Sequence, residues 1–394
     1  MRIGLITGEF PPDQGGVGDF TLRLGEALTA LGHETHVITT ARHTPHATRT
    51  TQRATPHPLT VHRTIPSWGW GCWRQVLATA QELALDALDL QFQTTAYGMQ
   101  PAIHFAPPPA QRPPLVVTFH DLKVPYLFPK AGPLRWQIVR LLARRADGVI
   151  VTNQEDYARL AAEIPAARLA LIPIGSNIFR APPPDYDRDA ERARWGVGPT
   201  ELLLGYFGFL NESKGGEELI QALALLVEEG VPAHLLMVGG RVGSSDPTNQ
   251  AYAAQVDALI ARLGLQERVH WTGYATPEAA SAGLLATDIC VLPYRDGVSF
   301  RRGTLHACLT HGRAIVTTQP PIDLPQVQDG QNMLLVPPRD AAALAAAAAR
   351  LWRDGALRAR LEEGATALAA EFTWERIARQ TALFFDKVQH GAAE

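Results

Sequence analysis

Lysine, cysteine and long apolar runs are all scarce in this 394-residue chain. Of 36 basic side chains only Lys123, Lys130, Lys214 and Lys387 are lysine, so an arginine carries meaning only where its structural setting supplies one. The three cysteines, Cys72, Cys290 and Cys308, have no paired spacing, which excludes a disulfide framework and suits a reducing compartment. Nowhere do about 18 apolar residues run uninterrupted, so no bilayer-spanning helix is expected. The opening "MRIGLITGEFPPD" holds too short an apolar run for a signal peptide. Charge of one sign is lacking as well. A formal net charge of −3 argues against nucleic acid or an anionic membrane as the main partner. These absences together predict a cytoplasmic protein, with peripheral contact at the inner membrane face left open. One further absence is local: no carboxylate lies between Val298 and Gly312 in "VSFRRGTLHACLTHG".

What is present is a rhythm. "RIGLIT" (2–7), "ETHVIT" (34–39), "LVVTF" (115–119) and "GVIVT" (148–152) read as strands buried on both faces, with helical spacing at Phe20, Leu24, Ala27, Leu28 and Leu31. That order means parallel β-structure with crossover helices. After a proline- and charge-rich stretch at 180–199, read as an interdomain segment, the rhythm restarts. "LLLGYFGF", "HLLMVGG", "RVHWTG", "DICVLPY", "RAIVTT" and "NMLLVPP" form a second such series. The prediction is two parallel α/β domains, 1–176 and 177–372, with an amphipathic helix at 373–390 packing back on the first. Such sheets bind ligands at the carboxyl ends of their strands. The expected binding place is a cleft between the domains.

Between the first strand and its helix, "GEFPPDQGGVGDF" places Gly15, Gly16 and Gly18 where backbone amides and a helix N-terminus can approach an anion. A nicotinamide-binding loop would need Gly-x-Gly-x-x-Gly and an acid ending the second strand, but that strand ends "VITTAR". A Walker loop would need Gly-Lys-Ser/Thr, which does not follow.

These motifs, with "VVTFHD", "RADGVIVTNQEDYARL", "LIPIGSN", "GYFGFLNESKGGEELIQAL" and "GTLHACLTHGRAIVTT" in that order, resemble retaining glycosyltransferases of family 4 over nearly the whole chain. The resemblance implies a GT-B fold of two Rossmann-like domains. It implies a hexosyltransferase that moves a sugar from a nucleotide-diphosphate sugar to an unidentified acceptor, with retention and without a metal. His120, ending "TFH", corresponds to the family's active-site histidine, with Asp121 beside it; Lys214 corresponds to the lysine at the leaving phosphate. The family's usual arginine five residues before that lysine is Phe209 here. Its two glutamates, which meet the sugar and the ribose, are replaced by Val298 and His306.

A departing diphosphate must be met by fixed charge and dipoles. Arg301 and Arg302 stand where the turn enters a helix at Gly303 and Thr304, and an arginine fork suits phosphate oxygens. Arg302 is expected to replace the cation lost at Phe209. Asp296 is a candidate for sugar hydroxyls, His306 for a ribose hydroxyl and Tyr274 for stacking on the base. Trp68 and Trp70 fall in the acceptor-side region of relatives, where aromatic faces suit sugar rings; core packing is the competing reading. The basic helical face at 129–147 reads as a solvated face, with lipid-headgroup contact the alternative, and the histidines of 42–63 have no compact ligand spacing. Two alternatives stay open: a degenerate relative that binds a sugar nucleotide or a partner without turnover, and a GT-B sugar-nucleotide epimerase, whose catalytic carboxylates the sequence does not supply.

Overall fold

Continuous apolar runs become parallel strands in both halves of the chain. The computed structural model describes residues 1–13, 15–41, 48–49, 58–122, 132, 134–241 and 247–391. It divides into one unit of Met1–Gly175 with Thr373–Glu394 and another of Ser176–Phe372.

In the first unit the strands are β1 (Arg2–Ile6), β2 (Glu34–Thr40), β3 (Thr48–Arg49), β4 (Thr60–Ile65), β5 (Ala87–Phe92), β6 (Leu115–Phe119), β7 (Gly148–Val151) and β8 (Leu169–Leu171). Their order is β3-β4-β2-β1-β5-β6-β7-β8, parallel except where β3 meets β4. Ile3, Leu5, Ile6, Val37 and Ile38 are fully buried, as a sheet covered on both faces requires. Crossovers run through α1 (Gly16–Ala30), α2 (Cys72–Glu82), α3 (Leu134–Arg145) and α4 (Gln154–Ala161).

The second unit holds β9 (Leu202–Phe207), β10 (Ala233–Val238), β11 (Val269–Trp271), β12 (Ile289–Leu292), β13 (Ala314–Thr318) and β14 (Leu334–Val336). They lie in the order β11-β10-β9-β12-β13-β14, all parallel. Its helices are α5 (Arg188–Arg194), α6 (Gly216–Glu228), α7 (Pro247–Arg262), α8 (Pro277–Ala286), α9 (Gly303–Thr310), α10 (Ala341–Arg353) and α11 (Gly355–Ala369). The order turns back at β1 in one sheet and at β9 in the other, and open α/β sheets bind ligands beside such reversals.

The stretch 180–199 is not a bare linker. Asp187 caps α5, accepting from the Ala190 amide, and carries Arg192 into the core at 1% exposure. There Arg192 pairs with Asp288 at 2.9 Å and donates to the carbonyls of Ala286, Gly198 and Glu201. A buried guanidinium persists only when paired and hydrogen-bonded, and this one is.

The last helix, α12 (Trp374–Gly391), belongs to the first unit. Its Trp374, Ile377, Phe385 and Val388 join Phe20, Leu24 and Leu28 of α1 in one apolar cluster. Gly148 makes room for it, because a Cβ there would lie 2.7 Å from Val388 Cγ2 and 2.8 Å from Phe384 Cε1. Gly148→Val is therefore expected to lower stability by about 1–3 kcal/mol through overpacking, read as a lower midpoint in urea unfolding.

Candidate active site

At the end of β9 the chain turns through Gly208, whose φ of +107° belongs to glycine. A Cβ there would lie 2.6 Å from Thr304 Cγ2 and 3.4 Å from Lys214 Nζ, so two segments distant in sequence converge at this point. Lys214 follows in a short turn of Glu212–Lys214, and its ammonium donates to the Phe209 carbonyl at 2.8 Å. Gly215 is left-handed as well, and a Cβ on it would collide with the Pro293 carbonyl. The lysine turn is thus pressed against the segment that leaves β12. Lys214 is half-buried, and burial together with the charge of Arg302 pulls its ammonium down to about 7.

The arginine turn lies beside it. The Arg302 guanidinium stacks on the Tyr294 ring, 4.4 Å from its centroid, and Tyr294 Oη shares a 2.6 Å hydrogen bond with Thr304 Oγ1. Asp296 bridges both cations: it accepts from Arg301 at 2.9 Å and from Arg302 through its other oxygen. Arg302 Nε is buried with no partner among the described residues. Arg302 opens α9 in an extended conformation, and the amides of Gly303 and Thr304 lack acceptors among the described residues. Two guanidinium groups, one ammonium and a helix N-terminus therefore gather at the carboxyl edge of this sheet, which suits an anion with several oxygens.

Some expectations need correction. Asp296, the candidate for sugar hydroxyls, is engaged with both arginines. His306 is buried: its Nε2 lies 2.7 Å from the Phe300 carbonyl, and its ring meets Phe372 edge-on at 4.7 Å, so it is a core side chain and presents no edge to a ribose. Val298 is fully buried in the same apolar cluster. Tyr274 is 75% exposed, with no ring partner among the described residues.

In the first unit the glycine loop has an occupant that sequence reading missed. Glu9 Oε1 accepts from the amides of Val17 at 3.0 Å and Gly18 at 3.3 Å. The first turn of α1 is capped from within the chain, so the donors assigned to Gly15, Gly16 and Gly18 for an outside anion are partly taken. A Cβ on Gly15 would collide with the Glu9 carboxylate, and one on Gly18 would lie 3.0 Å from the Glu9 carbonyl; Gly16 faces open space. Glu9 stood in the quoted motif, and its signal was a carboxylate seven residues before a helix start.

His120 follows β6, with Nε2 2.9 Å from Gln91 Oε1 and Phe20 of α1 edge-on at 4.6 Å. Burial pulls its imidazole down to about 3, so it is neutral at physiological pH. Asp121 sits beside it, part-buried. Trp68 is a core residue: it donates to Thr40 Oγ1 at 2.9 Å and packs edge-on against Tyr97. Trp70 is 75% exposed and leans on Phe105. The stretches 42–47, 50–57 and 123–131, which hold several of the histidines of 42–63, Lys123 and Lys130, lie outside the described residues.

Residues 14–178 match the family described as Glycosyltransferase Family 4, and residues 201–354 match the family described as Glycosyl transferases group 1. Each unit carries a glycosyltransferase-family domain. The D-inositol 3-phosphate glycosyltransferase of Streptomyces bingchenggensis is 28% identical over 249 residues, covering 62% of this chain and 54% of that protein. The chain thus spans about half the length of the curated relatives it matches. Sucrose-phosphate synthase from Thermosynechococcus elongatus shares the fold at a TM-score of 0.74 and 23% identity, over 100% of both chains. HepE of Anabaena, solved in complex with UDP, does so at 0.73 and 22% identity, over 97% of this chain and 99% of that one. The fold of these glycosyltransferase-family domains is GT-B, two Rossmann-like parallel sheets.

In the second glycosyltransferase-family domain the proximity of Arg302 and Lys214 is directly measurable. Removing the Arg302 charge is expected to raise the Lys214 midpoint above about 7, because a neighbouring cation disfavours the ammonium. NMR titration of 13C-labelled lysine side chains in the wild type and Arg302→Ala checks this, and four lysines keep the spectrum assignable.

Proposed function

We propose that the chain is a retaining glycosyltransferase that takes a sugar, a hexose in the simplest case, from a nucleotide-diphosphate donor and passes it to a hydroxyl of an acceptor. The observation that carries this reading is the convergence of Lys214, Arg301, Arg302 and the α9 N-terminus around Gly208 and Thr304. Lys214 and Arg302 neutralise the leaving diphosphate, while the Gly303 and Thr304 amides bind its oxygens. Two fixed cations and a helix terminus supply the charge that a divalent ion would otherwise bring, so the reaction proceeds without metal. Tyr274 offers a face to the base. Neutral His120, with Asp121 beside it, serves the transferred sugar and the acceptor hydroxyl by accepting or orienting a hydrogen bond. HepE has been solved with UDP and with UDP-glucose, which supports a uridine-type donor as the first to try. The protein acts in the cytoplasm, and the exposed Trp70 with Phe105 is the place for peripheral membrane contact.

A second reading, donor binding without turnover, draws on the Asp296 bridge, which already engages both arginines. Incubation with a panel of sugar nucleotides separates the two. Release of nucleoside diphosphate, with or without an added acceptor, is the expected result; binding without release from any donor sinks the transferase reading.

Two outcomes follow for UDP itself. Arg302→Ala is expected to weaken its binding roughly 10- to 100-fold, the loss of about 1.5–3 kcal/mol of charge-assisted hydrogen bonding. Binding to the wild type is also expected to weaken as pH rises through about 7, since free Lys214 loses its proton there and must regain it to meet the phosphate. Calorimetry across pH 6–9 at fixed ionic strength, with about one proton taken up per UDP at pH 8, reads both effects.

A further inference from the structure

Beneath His120 lies a buried polar ladder that the proposed reaction leaves unused. Asp89 and Gln91 alternate along β5 and so share one face of the sheet. Gln91 is the register partner of Thr118 on β6, and His120 stands two residues beyond Thr118. Asp89 and Gln91 are both fully buried. Asp89 Oδ1 accepts from Thr118 Oγ1 at 2.8 Å, Asp89 Oδ2 accepts from Gln91 Nε2 at 2.7 Å, and Gln91 Oε1 lies 2.9 Å from His120 Nε2.

Donor and acceptor chemistry reads this chain in one direction. An ionised carboxylate only accepts, so the nitrogen end of the Gln91 amide must face Asp89. The oxygen end then faces His120, and an amide oxygen also only accepts. His120 Nε2 must therefore carry the hydrogen. Reversing the amide would set its oxygen against the carboxylate, which is tolerated only if Asp89 is protonated. Burial lifts Asp89 to about 7, against the pull of its two hydrogen bonds, so it is ionised in mildly alkaline solution. Phe20 holds the plane of the imidazole from its edge, and Phe20 is itself braced by Trp374 at 5.2 Å. Nδ1 of His120 has no hydrogen-bond partner among the described residues.

We propose that Asp89, acting through Gln91, is a positioning pair that holds His120 as the Nε2–H tautomer and leaves the Nδ1 lone pair for a substrate hydroxyl. The inference rests on the reading that His120 serves the transfer. A buried acid that fixes the tautomer of a working histidine is a known way to control its chemistry from a distance. Neither residue touches substrate in this scheme.

The test is a long-range 1H–15N correlation spectrum of the whole protein, labelled at histidine nitrogen and recorded at pH 8, with the His120 signals identified by their loss in His120→Asn. A protonated Nε2 and an unprotonated, pyridine-type Nδ1 are expected in the wild type. In Asp89→Asn and in Gln91→Leu the signals should move toward the Nδ1–H form, and kcat for donor turnover should fall ~10-fold or more with little change in donor KM. A wild-type His120 in the Nδ1–H form overturns the inference without any variant having to fold. So does an Asp89→Asn protein with wild-type tautomer and wild-type kcat. If His120→Asn turns over normally, the role given to His120 falls instead, and the spectrum still decides whether the pair sets its tautomer.

Discussion

Crowding of positive charge at one edge of the second sheet is the constraint on which the candidate donor site depends. Lys214, Arg301 and Arg302 converge there with a helix N-terminus, and Asp296 pairs with both arginines. Like charges this close are held together only by the surrounding framework. Tyr294 contributes its ring face to Arg302 and its hydroxyl to Thr304, while Gly208 and Gly215 let two turns come nearer than any side chain would allow. Arg295 anchors the same region, pairing with Glu218 at 2.8 Å and Glu217 at 2.5 Å, on the helix that follows Lys214. The repulsion is thereby stored in a rigid place, which is the condition for preorganised stabilisation of a leaving anion.

The first unit applies the opposite solution. The N-terminus of α1 is partly capped by the Glu9 carboxylate, and the acid Asp89 is fully buried and held by neutral donors. In the proposed function one edge meets negative charge and the other handles hydroxyl chemistry around a neutral histidine, with donor and acceptor duties in different domains.

Much of this was legible in the residue pattern. Strands β1, β2, β6, β7 and all six strands of the second sheet coincide with the runs read as strands, most of them apolar because a strand covered on both faces leaves little room for alternation. Strand β5 escaped for the same physical reason inverted: Asp89 and Gln91 interrupt "ALDLQF", and only the structure reveals that they satisfy each other inside the core. The stretch 180–199 read as a linker because proline and charge dominate it, while the pairing of Arg192 with Asp288 spans nearly a hundred residues and leaves no local trace. Lys214 and Arg302 were singled out by motif and turn position, and the structure brings them near each other. The capture of the arginines by Asp296 and the burial of His306 and Val298 depend on packing that sequence spacing does not encode.

The return of α12 to the first unit has a consequence for how the protein is made. Leu24, Leu28 and Phe20 wait for partners that lie more than 340 residues downstream, with the entire second unit in between. During synthesis the second unit can close before α12 is made, whereas the N-terminal part must keep an apolar seam open until α12 emerges. The piece that completes the first unit is made only after the second.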